Sequence, residues 1–166
     1  MAVTVKKAWV DSPFIWETYG VTSHELMWSN VLHLAIEKEG KLKEYTFTFK
    51  GRDGEIGRRG FRCNGLSVPK PLWWFLPSWV DNNDLYDLAG ALHDWLYATK
   101  GAFGEFTREE CDDIFRGILR ISGIGRFKAG VADKAVEIFA GNNRHWGNDD
   151  FHVSGLVYIE SVAVAA

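Results

Sequence analysis

The hydrophobic period of this chain changes once, and that change confines it to a mixed fold with strands first and helices second. In "EYTFTFK", Tyr45, Phe47 and Phe49 alternate with Thr46, Thr48 and Lys50. A period of two places the aromatic residues on one face and the polar ones on the other, as in a half-buried strand. The preceding "NVLHLAI" is also β-prone, and "EKEGKLK" supplies a glycine turn between the two. "KGRDGEIGRRG" then reads as a glycine-rich, charged loop. Farther on, Leu85, Leu88, Ala89, Leu92 and Leu96 recur at helical spacing behind "DNND", which offers N-caps. A second helix opens at "TREE", where Thr107 and Glu110 stand at capping-box spacing, and Ile114, Phe115, Ile118 and Leu119 form its apolar stripe. A third helix is expected over 124–140, stopping near "GNN". The closing "FHVSGLVYIESVAVAA" favours a strand or an extended tail.

These elements predict one α+β domain over 1–166. Its β-rich part, 1–62, forms an N-terminal antiparallel sheet. A loop and a three-helix unit follow over 63–143, and a C-terminal tail over 144–166. The length suffices for a sizeable core, and eight tryptophans are expected mainly to fill it. The net charge of −3 argues against a dedicated nucleic-acid binder. Arg52, Arg58, Arg59 and Arg62 form a local basic cluster, read first as a solvated loop and second as a contact for nucleic acid or lipid headgroups. Cys63 and Cys111 fit no zinc or redox spacing. The sequence shows neither a signal-peptide core nor a bilayer-length apolar run, so the cytoplasm is the expected compartment.

The chemistry concentrates in "ALHDWLY". His93 and Asp94 interrupt an apolar run, and burying ionisable groups is costly unless something pairs with them. On a helix they point about 100° apart, so each faces a different neighbour. Tyr97 lies one turn after His93. On the second helix Asp112 borders the apolar stripe, whereas Asp113 is rotated away and expected in solvent. Antiparallel packing of the two helices, which a short connection allows, would bring Asp112 to His93. A carboxylate on one imidazole nitrogen fixes the tautomer and leaves the other nitrogen as a base.

Upstream, Asn64, Gly65 and Ser67 are turn formers in "FRCNGLSVPKPLWWFLP". Such a loop can present carbonyls to a hard cation such as calcium, with Asp94 adding a carboxylate. The alternative is a rigid turn carrying Trp73, Trp74 and Phe75 into the core. In "RHWGNDDFH", His145, Asp149, Asp150 and His152 have metal-ligand types, but a polar turn is the expected reading.

Taken in order, "FRCNGLSVPKPLWWFLP", "ALHDWLY" and "REECDDIF" resemble a bacteriophage and prophage domain family of unknown function. That family carries a loop like "TDGASIP", an "HDxLY" helix and a helix with Asp three residues before Phe. The resemblance spans 61–143, and Asn64 stands where the family often has Asp. The arrangement is more distantly similar to phospholipase A2. That resemblance implies a phospholipase-A2-like antiparallel helix pair. It makes His93 the general base, Asp112 its orienting carboxylate and Tyr97 a support. Asp94 and the loop at Asn64, Gly65 and Ser67 would be the calcium site. The phage resemblance implies a virion component, structural or interacting and associated with the tail. Its partners would be other virion proteins, and it would be found in the virion or the host cytoplasm. The phospholipase resemblance implies instead a calcium-dependent hydrolase of lipid or other esters.

Overall fold

The computed structural model describes residues 2–19, 23–64, 77, 79–80, 82–124, 131, 146–148 and 154–164. The strands are β1 (Val3–Val10), β2 (Trp16–Tyr19), β3 (Ser23–Leu26), β4 (Asn30–Lys38), β5 (Lys41–Phe49) and β6 (Arg62–Cys63). The helices α1 (Asp84–Ala98), α2 (Lys100–Gly104) and α3 (Arg108–Ile121) follow, and then β7 (Val157–Ala163). Among the described residues the fold is α+β, with an N-terminal antiparallel sheet followed by three helices. The helix expected over 124–140, apart from Ile124 and Val131, and the aromatic segment at Trp73 lie outside the described residues.

Among the described residues two antiparallel sheets form, in the orders β1-β4-β5-β7 and β2-β3-β6. Glu39 and Gly40 both have positive φ, 55° and 72°, and close β4 onto β5 with Lys38 opposite Lys41. This is the primed turn whose twist matches the flanking strands. The turn fixes the register, so Leu32, Leu34, Ile36, Tyr45, Phe47 and Phe49 all point inward and are buried. At the C-terminal end β7 pairs with β5 from Lys43 to Phe49 and buries Val157 in the same core.

The helices cover the inner face of the larger sheet. Trp95 of α1 meets Phe47 edge-on at 6.0 Å, and Gly117 of α3 sits against Val5 of β1. A methyl group at Gly117 would lie 2.6 Å from a Val5 carbon, so α3 can approach β1 this closely only with glycine there. Asn83 caps α1 by accepting from the Tyr86 amide, and its side-chain N–H donates to the Ser122 carbonyl at the far end of α3 (3.1 Å). At the other end Tyr97 contacts Arg108 and Asp112. The two helices therefore run antiparallel.

Their connection is unusual. Lys100, Gly101, Ala102 and Phe103 all have left-handed φ, between 52° and 74°. Each non-glycine residue there costs roughly 1–2 kcal/mol. Buried Thr99 offsets part of this, because its hydroxyl accepts from the Ala102 amide and its carbonyl from the Phe103 amide. Only glycine fits at 101, where a Cβ would lie 1.7 Å from the Phe106 carbonyl oxygen. Thr107 and Glu110 then form the expected capping box. Cys63 and Cys111 are both buried and are not joined in a disulfide. Among the described residues no helix is long and apolar enough to cross a membrane.

Candidate active site

The antiparallel helices bring together His93, Tyr97 and Asp112. The His93 Nε2–H donates to Asp112 Oδ1 at 2.9 Å. A carboxylate only accepts, so the proton resides on Nε2 and neutral His93 keeps a bare Nδ1. The Tyr97 hydroxyl donates to the same Oδ1 at 2.8 Å. Arg108 Nε in turn donates to the Tyr97 oxygen at 3.3 Å, and its guanidinium lies over the Tyr97 ring. The imidazole is clamped between the rings of Tyr97 and Phe115, with centroids 4.3 and 4.9 Å away. Trp146 stands edge-on to Tyr97 at 5.2 Å, and the Gly147 amide donates to the Tyr97 carbonyl. The His93 side chain is 12% exposed and that of Asp112 22%.

The electrostatics follow from this packing. Burial pushes the Asp112 carboxyl upward, but the hydrogen bonds from His93 and Tyr97 and the charges of His93 and Arg108 more than offset it, holding Asp112 below the usual carboxylate range. Burial drives the Tyr97 hydroxyl above its ordinary value, and Asp112 adds to this against the opposing bond from Arg108. Tyr97 is therefore a firm donor and Asp112 a firm anion. Among the described residues, no hydrogen-bond partner occupies His93 Nδ1.

Asp94 is half-buried on the adjacent face of α1, and Asn64 follows β6, where its side-chain oxygen accepts from Ser23 (3.2 Å). Gly65 and Ser67 lie outside the described residues, as do His145, Asp149, Asp150 and His152. Among the described residues, no group of three or more His, Cys, Asp or Glu side chains is placed to hold a metal ion. Asp113, expected in solvent, is half-buried. It accepts from the Val3 amide (3.1 Å) and pairs with Arg116, so it ties α3 to β1. The reading by helical phase failed there because β1 covers the face of α3 next to the apolar stripe. Arg108 was missed as a site residue. Its spacing of four from Asp112 on one helix face is the signal that could have found it.

A family model described as "Protein of unknown function (DUF1353)" matches residues 44–136, more than half of the chain. The match runs from within β5 through α1, α2 and α3, and so includes His93, Tyr97, Arg108 and Asp112. No curated protein and no solved structure matches the chain.

Proposed function

The chain belongs to the DUF1353 family, and from that premise we propose that it is a general-base hydrolase of lipid or other esters, acting through His93. The observation that carries the reading is the shared Asp112 oxygen, bonded to His93 Nε2 at 2.9 Å and to the Tyr97 hydroxyl at 2.8 Å. Asp112 holds the imidazole in the Nε2–H tautomer and stabilises the imidazolium that forms on proton uptake. His93 Nδ1 takes a proton from water as the water oxygen bonds to the ester carbon. It then returns the proton to the leaving alkoxide as the C–O bond breaks. Tyr97 and Arg108 keep Asp112 in place and do not exchange protons with substrate.

The sequence resemblance to phospholipase A2 would add a calcium ion. Its holders would be Asp94 and the loop at Asn64, Gly65 and Ser67, and their donors are hard oxygens of the kind calcium prefers. The Asn64 side-chain oxygen is engaged by Ser23, which leaves its backbone carbonyl for this role. Bound there, calcium would polarise the ester carbonyl. The test measures hydrolysis of a p-nitrophenyl ester and of phospholipid by wild-type protein and by His93→Ala. Turnover in the first and none in the second supports the reading, and a wild-type protein inert toward both substrates removes it.

A second reading is a phage-particle component, tail-associated and bound to other virion proteins, in which the same network only fixes α1 against α3. The exposed Tyr158 and Val162 on the outer face of β7 favour it, since edge-strand apolar residues suit a partner. Substitution of Tyr158 and Val162 by serine would then reduce incorporation into particles. Unchanged incorporation counts against it.

A further inference from the structure

We propose that a pocket of about 440 Å³ beside the smaller sheet, lined by Arg52, Arg58, Arg59 and Arg62, binds a phosphate group carrying a flat or apolar substituent. The pocket lies apart from the His93 site, between the end of β2, β3 and the 51–60 loop, and the proposed activity makes no use of it.

Its floor is built. Glu25 is 1% exposed, yet its carboxylate accepts from the Gly60 amide (2.8 Å) and from Arg62 Nε and Nη2 (2.8 and 2.6 Å). The Arg52 Nε stands 3.9 Å from the other Glu25 oxygen. The buried carboxylate thus holds two guanidiniums from behind. The loop is pinned as firmly. The Arg52 and Asp53 amides donate to the Leu26 and Met27 carbonyls, and Asp53 accepts from the Ser29 amide and hydroxyl. A Cβ at Gly60 would fall 2.1 Å from the Leu26 oxygen, so this close approach of loop to strand needs glycine.

The charge count decides what such a floor can take. Glu17, Glu25, Asp53 and Glu55 pair with Arg52, Arg58 and Arg62. Arg59 is exposed and makes no ion pair among the described residues. The pairing spends charge but leaves N–H donors: Arg62 uses only Nε and Nη2 on Glu25, and a guanidinium has five. The site is therefore rich in donors with little net charge. It suits a single anionic group whose oxygens accept from several directions, which a tetrahedral phosphate does better than a planar carboxylate. The walls add the second requirement. Tyr19 is 41% exposed and Trp28 51%, and Ile56 stands fully exposed at the lip. Such surfaces favour an apolar or flat substituent on the phosphate.

Phosphate of this kind comes either from a soluble phosphomonoester or from a phospholipid headgroup. The test titrates the full chain with phenyl phosphate, inorganic phosphate and benzyl alcohol by calorimetry. It also measures cosedimentation with phosphatidylcholine vesicles with and without phosphatidic acid. Phenyl phosphate should bind more tightly than inorganic phosphate, and benzyl alcohol should not bind. Arg59→Gln should weaken binding roughly tenfold, the loss of about one charge-assisted hydrogen bond, with an unchanged melting temperature. Trp28→Ala should remove the preference for phenyl phosphate over inorganic phosphate. Binding to phosphatidic acid vesicles alone, sensitive to Arg59→Gln, assigns the headgroup as the source. The proposal is overturned if neither phenyl phosphate nor those vesicles bind, or if Arg59→Gln binds both as wild type does.

Discussion

Two histidine–aspartate pairs stand among the described residues, and their difference separates a packing device from a candidate base. On the open face of the larger sheet, His33 Nε2 meets Asp11 at 3.1 Å, while His33 Nδ1 meets the Thr46 hydroxyl at 3.2 Å. Both ring nitrogens are occupied, the ring stacks on Trp9, and Asp11 is 63% exposed. Between α1 and α3, His93 Nε2 meets Asp112 at 2.9 Å. That Asp112 is itself held by Tyr97, and the opposite nitrogen of His93 is left without a partner among the described residues. A carboxylate–imidazole contact is thus no sign of chemistry by itself. What distinguishes the helical pair is the partial burial, the second donor on the carboxylate and the unspent nitrogen.

The largest expected effect is on turnover. His93→Ala should lower ester hydrolysis by about 10²–10⁴-fold, the usual worth of a positioned general base, while His33→Ala should leave it within about twofold of wild type. Equal losses in the two variants would erase the distinction. The next effect is on stability. Asp112→Ala strands the His93 and Tyr97 donors in a half-buried site and should cost about 1–3 kcal/mol in a denaturant melt. Asp11→Ala breaks an exposed pair and should cost under about 1 kcal/mol.

Acid tests the helical pair as well. Asp112 is held below its ordinary range in the folded chain, so its contribution is fully present above the unfolded carboxylate pKa and fades as pH falls through the lowered folded value. The stability gap between wild type and Asp112→Asn should therefore shrink on acidification. A gap that widens would contradict the assigned direction. Calcium gives a subtler check. Asp94→Asn, or addition of a chelator to the wild type, should lower turnover. Turnover indifferent to both would leave the His93 reading intact and remove calcium from it.

Much of this architecture was legible because local rules and tertiary packing agree. Tyr45, Phe47 and Phe49 alternate cleanly, Glu39-Gly40 is a turn, and Thr107 with Glu110 is a reciprocal cap. The approach of His93 to Asp112 was readable from helical phase together with the antiparallel packing that a short connection allows. Contacts that depend on distant chain were not. Asp113 looked solvent-facing until β1 supplied the Val3 amide. The left-handed turn at Lys100–Gly104 escaped because Ala102 and Phe103 carry no propensity for positive φ. Packing around Gly101 and Phe106 imposes it.

The central claim is that the His93 imidazole acts as a base and not as a strut. It is tested most directly by adding imidazole to His93→Ala during ester hydrolysis, with His33→Ala as the parallel control. Hydrolysis by the His93 variant should rise with the concentration of neutral imidazole beyond the rate of imidazole alone in buffer, with no change in the variant's melting temperature. His33→Ala should show no such rise. A His93 variant that hydrolyses as fast as wild type, or one whose lost turnover imidazole restores only by raising its melting temperature, would contradict the account.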